Sequence, residues 1–173
     1  MRLLNCSLSR VLQGVNYILI DTCGKVLIHQ RDEQARYFPN KLCFPGGKMQ
    51  EGKEPKAEVL RKIYDETGIR PFELQGLEQI FDFEYFYGDH ANDDMANSMT
   101  KFCNRFFICT GIAPMPHIGM FARKGNLTWI SEEEVKNVEL ALNENMILPV
   151  LSLFFSGRVT PSEVKKKLSF IEN

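Results

Sequence analysis

Residues 42–69 read LCFPGGKMQEGKEPKAEVLRKIYDETGI, and no other stretch of the chain restricts the fold so tightly. A short apolar run stopped by Pro45, Gly46 and Gly47 reads as a strand ending in a turn. A charged loop follows, and residues 55–67 then read as a helix. Pro55 suits the first helical turn, where its missing N–H would be unpaired anyway. Ala57, Leu60, Ile63 and Tyr64 recur at offsets of three, six and seven, which makes one apolar stripe. Gly68 closes the helix as a left-handed C-cap. The order strand, Gly-Gly turn, loop and helix sets backbone N–H groups and a helix N-terminus beside an acidic helical face.

The flanking sequence supplies a sheet. GVNYILI (14–20) runs into the turn DTCG (21–24), and KVLIHQR (25–31) returns as an antiparallel partner. The polar segment 31–41 reads as a loop. Phe81, Phe83, Tyr85 and Tyr87 alternate with Asp82 and Glu84, the period of a half-buried strand, and KFCNRFFICTG (101–111) is its expected partner. Between them lies GDHANDDMANSMT, long enough to be functional or mobile rather than a plain hairpin turn. TWI (128–130) reads as a last short strand. Ser131 with Glu134, and Thr160 with Glu163 around Pro161, are capping-box signatures. Residues 143–155 are apolar enough for a buried helix, interrupted near Pro149. With 173 residues and 44% hydrophobic content, one domain is expected over 1–173, its core at about 14–155 and a C-terminal helix at about 161–172.

Charge and cysteine usage narrow the function classes. Twenty-one basic and 22 acidic residues leave a net charge of −1, which gives no whole-protein grip on nucleic acid. Cys6, Cys23, Cys43, Cys103 and Cys109 are odd in number and never spaced as CxxC, so they read as reduced strand or core residues rather than a zinc site. The opening MRLLNCSLSRVLQ resembles neither a signal peptide nor a membrane span, and a cytoplasmic location is expected.

FPGGKMQEGKEPKAEVLRKIYDETGI resembles the signature of the Nudix hydrolases, which runs G, five residues, E, seven residues, then REUxEExGU with U a bulky apolar residue. Gly47 takes the first glycine and Arg61 the arginine; Ile63, Asp65, Glu66, Gly68 and Ile69 also fit. Lys53 stands where the first glutamate belongs, and Lys62 replaces the glutamate after the arginine. The hairpin before PGG and the segment TWISEEEV extend the likeness over residues 14–155. It implies an α/β Nudix fold, a mixed β-sheet sandwiched between α-helices. It also implies hydrolysis of a diphosphate linkage in a nucleoside-diphosphate-linked substrate with magnesium or manganese, and it allows a homodimer. Carried over, Glu66, Asp65 and Arg61 form the catalytic set, with Arg61 orienting the acids. Asp65 and Glu66 hold the metal, and Glu58 is placed to add an oxygen, as are Glu51 and Glu54 from the loop. Gly46 and Gly47 leave room for close backbone approach.

Lys62 bears directly on that expectation. Positions 58, 62, 65 and 66 fall on neighbouring lines of a helix, and a charged lysine donates hydrogen bonds but ligates no metal. One reading pairs Lys62 with those acids on a solvated face, at roughly 0.2–0.5 kcal/mol per pair. The other sets its ammonium where a metal would sit. A unit charge about 4 Å from a dication costs up to roughly 8 kcal/mol at an effective dielectric of 20. Two functions follow: a metal-dependent hydrolase, or a non-catalytic module binding a nucleotide or a protein partner, with Lys62 and Lys53 attracting phosphate. An RNA- or cap-processing enzyme is a third, resting on family breadth and on Arg123 and Lys124.

Further candidates are His90, Asp93 and Asp94 in the long loop, as a general base or ligand against a plain polar loop. His29 and His117 read as locally satisfied. Phe38, Phe83, Tyr85 and Phe107 are candidates to stack a base, against the ordinary role of strand aromatics as core.

Overall fold

The computed structural model describes residues 7–35, 38–88, 98–115, 118, 125–141, 144, 147–155, 160 and 162–163. Strand β1 (Ser7–Asp21) organises the rest. Its run VNYILI is apolar on both faces because both faces are covered. Val15, Tyr17 and Leu19 join one core cluster, while Ile18 and Ile20 join the other. The expected hairpin forms, with β2 (Val26–Gln30) antiparallel to β1 and Ile20 opposite Val26. On its other edge β1 runs parallel to β6 (Ser98–Ile112), which pairs in turn with antiparallel β5 (Glu78–Gly88). The short strand β3 (Leu42–Cys43) and β7 (Asn126–Ile130) both pair with β2. With β4 (Gly46–Lys48) the mixed sheet has seven strands among the described residues, and β3-β2-β1-β6-β5 is its main order.

The Gly-Gly pair departs from the expected strand stop. After a break at Phe44 and Pro45 the chain resumes pairing, and β4 lies antiparallel to β1 with Val15 opposite Gly47 and Asn16 opposite Gly46. Glycine permits this. A Cβ on Gly46 would meet the Val15 carbonyl oxygen at 2.3 Å and Asn16 Cα at 2.7 Å. The backbone of β4 thus lies nearer to β1 than a side chain would allow.

Helix α1 spans Pro55–Thr67 with proline in its first turn, and Gly68 caps it at φ 76°, donating its N–H to the Tyr64 carbonyl. The apolar stripe is turned from its expected place. Val59 and Ile63 are buried, Leu60 packs against the same cluster, and Ala57 is exposed while Tyr64 is 52% exposed. Polar residues fill the rest of the buried face because the helix satisfies them itself. The Thr67 hydroxyl donates to the Ile63 carbonyl at 2.6 Å, and Glu58 is held by Arg61.

On the opposite face lie α2 (Glu132–Lys136) and α3 (Leu148–Phe155). Ser131 caps α2 through the expected reciprocal bonds with Glu134. Pro149 falls in the first turn of α3, where its missing N–H is tolerated, and residues 143, 145 and 146 of the expected longer helix lie outside the described residues. Thr160 and Glu163 exchange the hydrogen bonds of a cap, while Pro161 and residues 164–172 of the expected C-terminal helix lie outside the described residues. Cys23, Cys43, Cys103 and Cys109 are free thiols. No helix among the described residues is long and apolar enough to cross a membrane.

Glu144 ties this face to the Gly-Gly segment. It is fully buried and accepts the Phe44 N–H at 2.6 Å, directly before Pro45. Burial pushes its carboxyl up to about 8, against the opposing pull of that N–H. Between its ordinary value of 4.5 and about 8, the unfolded chain has lost a proton that the native chain keeps. Its contribution to stability is therefore full at acid pH and declines as pH rises through that window. In thermal melts from pH 4 to 9, Glu144→Gln is expected to flatten that decline, and an unchanged slope would place it elsewhere.

Candidate active site

The stretch of α1 from Glu58 to Glu66 carries the charged face, and Arg61 organises it. Its Nη2 and Nε donate to the two oxygens of Glu58, at 2.7 and 3.2 Å, and its Nη1 donates to Asp65 Oδ2 at 2.5 Å. These are the i−3 and i+4 neighbours that a helix brings together. The Glu58 side chain is 2% exposed, while its partner Arg61 is 42% exposed. The hydrogen bonds from Arg61 hold the Glu58 carboxyl below its usual range.

Glu66 points inward, and sequence reasoning missed its partner. The Tyr17 hydroxyl, rising from β1 beneath the helix, donates to Glu66 Oε2 at 2.5 Å. Tyr17 is fully buried, and burial with the nearby carboxylate raises its phenol well above the usual value, which keeps it a donor. Burial raises Glu66 and the Tyr17 bond pulls it down. Tyr17 is thus a positioning residue for Glu66. The signal was available: Tyr17 supplies the only hydroxyl within GVNYILI. In Tyr17→Phe, Glu66 loses the bond that lowers its pKa. The Glu66 titration followed by carboxyl NMR is expected to move to higher pH, with a stability loss of about 1–3 kcal/mol for the orphaned acceptor. A titration identical to the parent's would remove Tyr17 from the site.

Lys62 lies between these acids, half-buried on the side of the helix that faces β4. A Cβ on Gly47 would stand 3.6 Å from its Nζ, so the bare glycine leaves the ammonium uncovered. Burial lowers the Lys62 pKa, and the fields of Glu66 and Glu58 oppose that shift. Gly46 uses its missing side chain against β1, whereas Gly47 turns its open position toward Lys62.

The donor set is a poor cradle for a resident dication. Magnesium needs several oxygens converging in near-octahedral array. Here Arg61 engages Glu58 and Asp65, Tyr17 engages Glu66, and an ammonium stands in their field. Among the described residues no three Asp, Glu, His or Cys side chains group as metal ligands.

Of the other candidates, Glu51, Lys53 and Glu54 are exposed in the loop before α1. His29 has Nδ1 4.0 Å from Cys43 Sγ within the sheet. Phe107 is 2% exposed, and Phe83 packs edge-on against Phe106, so both serve the core. Phe38 sits in the turn before β3 at φ 50°. His90, Asp93, Asp94, His117, Arg123, Lys124 and the side chain of Tyr85 lie outside the described residues.

The chain is 26% identical to the uncharacterized Nudix hydrolase YvcI of Bacillus subtilis (strain 168) over 137 residues, 79% of this chain and 77% of that one. Its fold is similar to that of the MutT protein from Methanosarcina mazei Go1, with TM-score 0.64 at 19% identity over 84% of this chain and 96% of the other. It is also similar to the NUDIX domain of Shewanella oneidensis NrtR, solved with ADP ribose. There the TM-score is 0.54 at 21% identity, over 80% of this chain and 84% of that one. The sequence pattern of the NUDIX domain matches residues 12–149, most of the chain. This protein belongs to the NUDIX domain family.

Proposed function

We propose that this chain hydrolyses a diphosphate linkage in a nucleoside-diphosphate-linked compound that enters with its own magnesium or manganese ion. The observation that carries the reading is Glu66, half-buried on the inner side of α1 and fixed by Tyr17 at 2.5 Å. In this reading water attacks one phosphorus, Glu66 takes the proton, and the bridging P–O bond breaks to leave two phosphate esters. A carboxylate with a raised pKa suits proton transfer near neutral pH. When bound with the substrate, the ion would supply charge that neutralises the diphosphate. Asp65 and Glu66 would meet it, while Arg61 holds Asp65 in place and Glu58 holds Arg61.

The second reading is binding without turnover, and the placement of Lys62 favours it. The NrtR domain, solved with ADP ribose, makes that compound a suitable first probe. Free thiols suit a reducing compartment, and a cytoplasmic setting goes with both readings. The test is a panel of nucleoside triphosphates, nucleotide sugars, ADP ribose, dinucleoside polyphosphates and capped RNA. Each is incubated with magnesium, manganese or chelator, and products are separated by ion exchange. Metal-dependent release of a phosphate ester supports hydrolysis. No release across the panel with either metal rejects it.

A further inference from the structure

Lys62 lacks the partners that its helix position offers. Glu58 and Asp65, one turn to either side, are engaged by Arg61, and Glu66 by Tyr17. Among the described residues Lys62 makes no ion pair. The simple expectation of a surface lysine paired with neighbouring acids is therefore not met. A half-buried ammonium gives up hydration, and the fields of Glu66, Glu58 and Asp65 offset that loss without a direct contact, so its donors stay open to an arriving anion.

Three features select that anion. The ammonium lies beside Gly47, which has no side chain to fill the position 3.6 Å from Nζ. Residues 46–66 hold five basic and five acidic residues, so the segment as a whole carries no net charge although Glu58, Asp65 and Glu66 stand nearest to Lys62. A lysine ammonium is also a compact point charge of the kind that binds phosphate.

We propose that the Lys62 ammonium binds a phosphoryl oxygen of the substrate's diphosphate directly, beside Gly47, so that the chain holds this anion without a divalent cation. The inference rests on the diphosphate-directed reading above and specifies how the anion is held.

The test is calorimetric titration with α,β-methylene-ADP, whose linkage cannot be hydrolysed, and separately with inorganic pyrophosphate, each in chelator and in magnesium. The full chain is compared with Lys62→Met, Lys62→Arg and Lys62→Glu, and circular dichroism melts verify folding. The parent is expected to bind in chelator. Lys62→Met is expected to bind about 10- to 100-fold more weakly, the share of one charge-assisted hydrogen bond. Lys62→Arg should keep most of the affinity, and Lys62→Glu should bind only with magnesium. Parent binding that requires magnesium overturns the inference, as does Lys62→Met binding like the parent in chelator. The parent measurement decides even where a variant does not fold. Turnover in the panel without chelator binding rejects the role of Lys62 and keeps hydrolysis. Chelator binding without turnover does the reverse, and neither signal rejects both.

Discussion

Replacing Glu66 with glutamine is expected to lower kcat by about 10²- to 10⁴-fold, the usual contribution of a positioned general base. KM should rise as well, because Glu66 also faces the ion that accompanies the substrate. Glutamine still offers an oxygen to the Tyr17 hydroxyl, which donates to Glu66 at 2.5 Å, so the melting temperature should stay close to the parent's. What it removes is the charge that accepts a proton. A kcat loss with an intact melt isolates chemistry from folding. If Glu66→Gln turns over like the parent, the base lies elsewhere.

The second large effect concerns the fold. Gly46→Ala is expected to destabilise the protein by about 3 kcal/mol or more, a fall in Tm of about 6–12 °C for a chain of this size. Two causes act together. Gly46 has φ 143°, a region that side chains rarely adopt, and its Cβ would fall 2.3 Å from the Val15 carbonyl and 2.7 Å from Asn16 Cα. Both are backbone atoms of the central strand, so neither can swing aside. Gly52→Ala is the control. It has φ 72° but nothing within 4 Å of its Cβ, and should lose only about 1 kcal/mol. Equal melting temperatures for the two variants would mean that backbone conformation, not the closeness of β4 to β1, is what glycine serves.

Local chemistry made much of this fold legible. Pro55 and Gly68 mark the limits of α1, Ser131 and Glu134 mark the start of α2, and the β-branched run before DTCG marks the first hairpin. Features fixed by distant partners were not legible. The parallel register of β1 on β6 pairs Tyr17 with Phe107, and no local period encodes that match. Gly46 and Gly47 look like a strand stop until β1 is beside them. The α1 stripe misled because Glu58 and Thr67 are polar by name yet satisfied when buried. Site residues followed the same division. The acids stand in one helix and can be read from its sequence, whereas Tyr17 lies 49 residues before Glu66 inside an apolar run and reads as core.

The hydrogen bond from Phe44 to Glu144 sets an order of assembly. Its partners are 100 residues apart, so it cannot form on the ribosome until the chain has grown past residue 144. The hairpin and α1 need only nearby sequence, and closing so long a loop is slower than forming either. The segment that presents Gly47 to Lys62 therefore gains this anchor after the helix beside it can already have formed. In a nascent chain, a folded α1 is no sign that the site is complete.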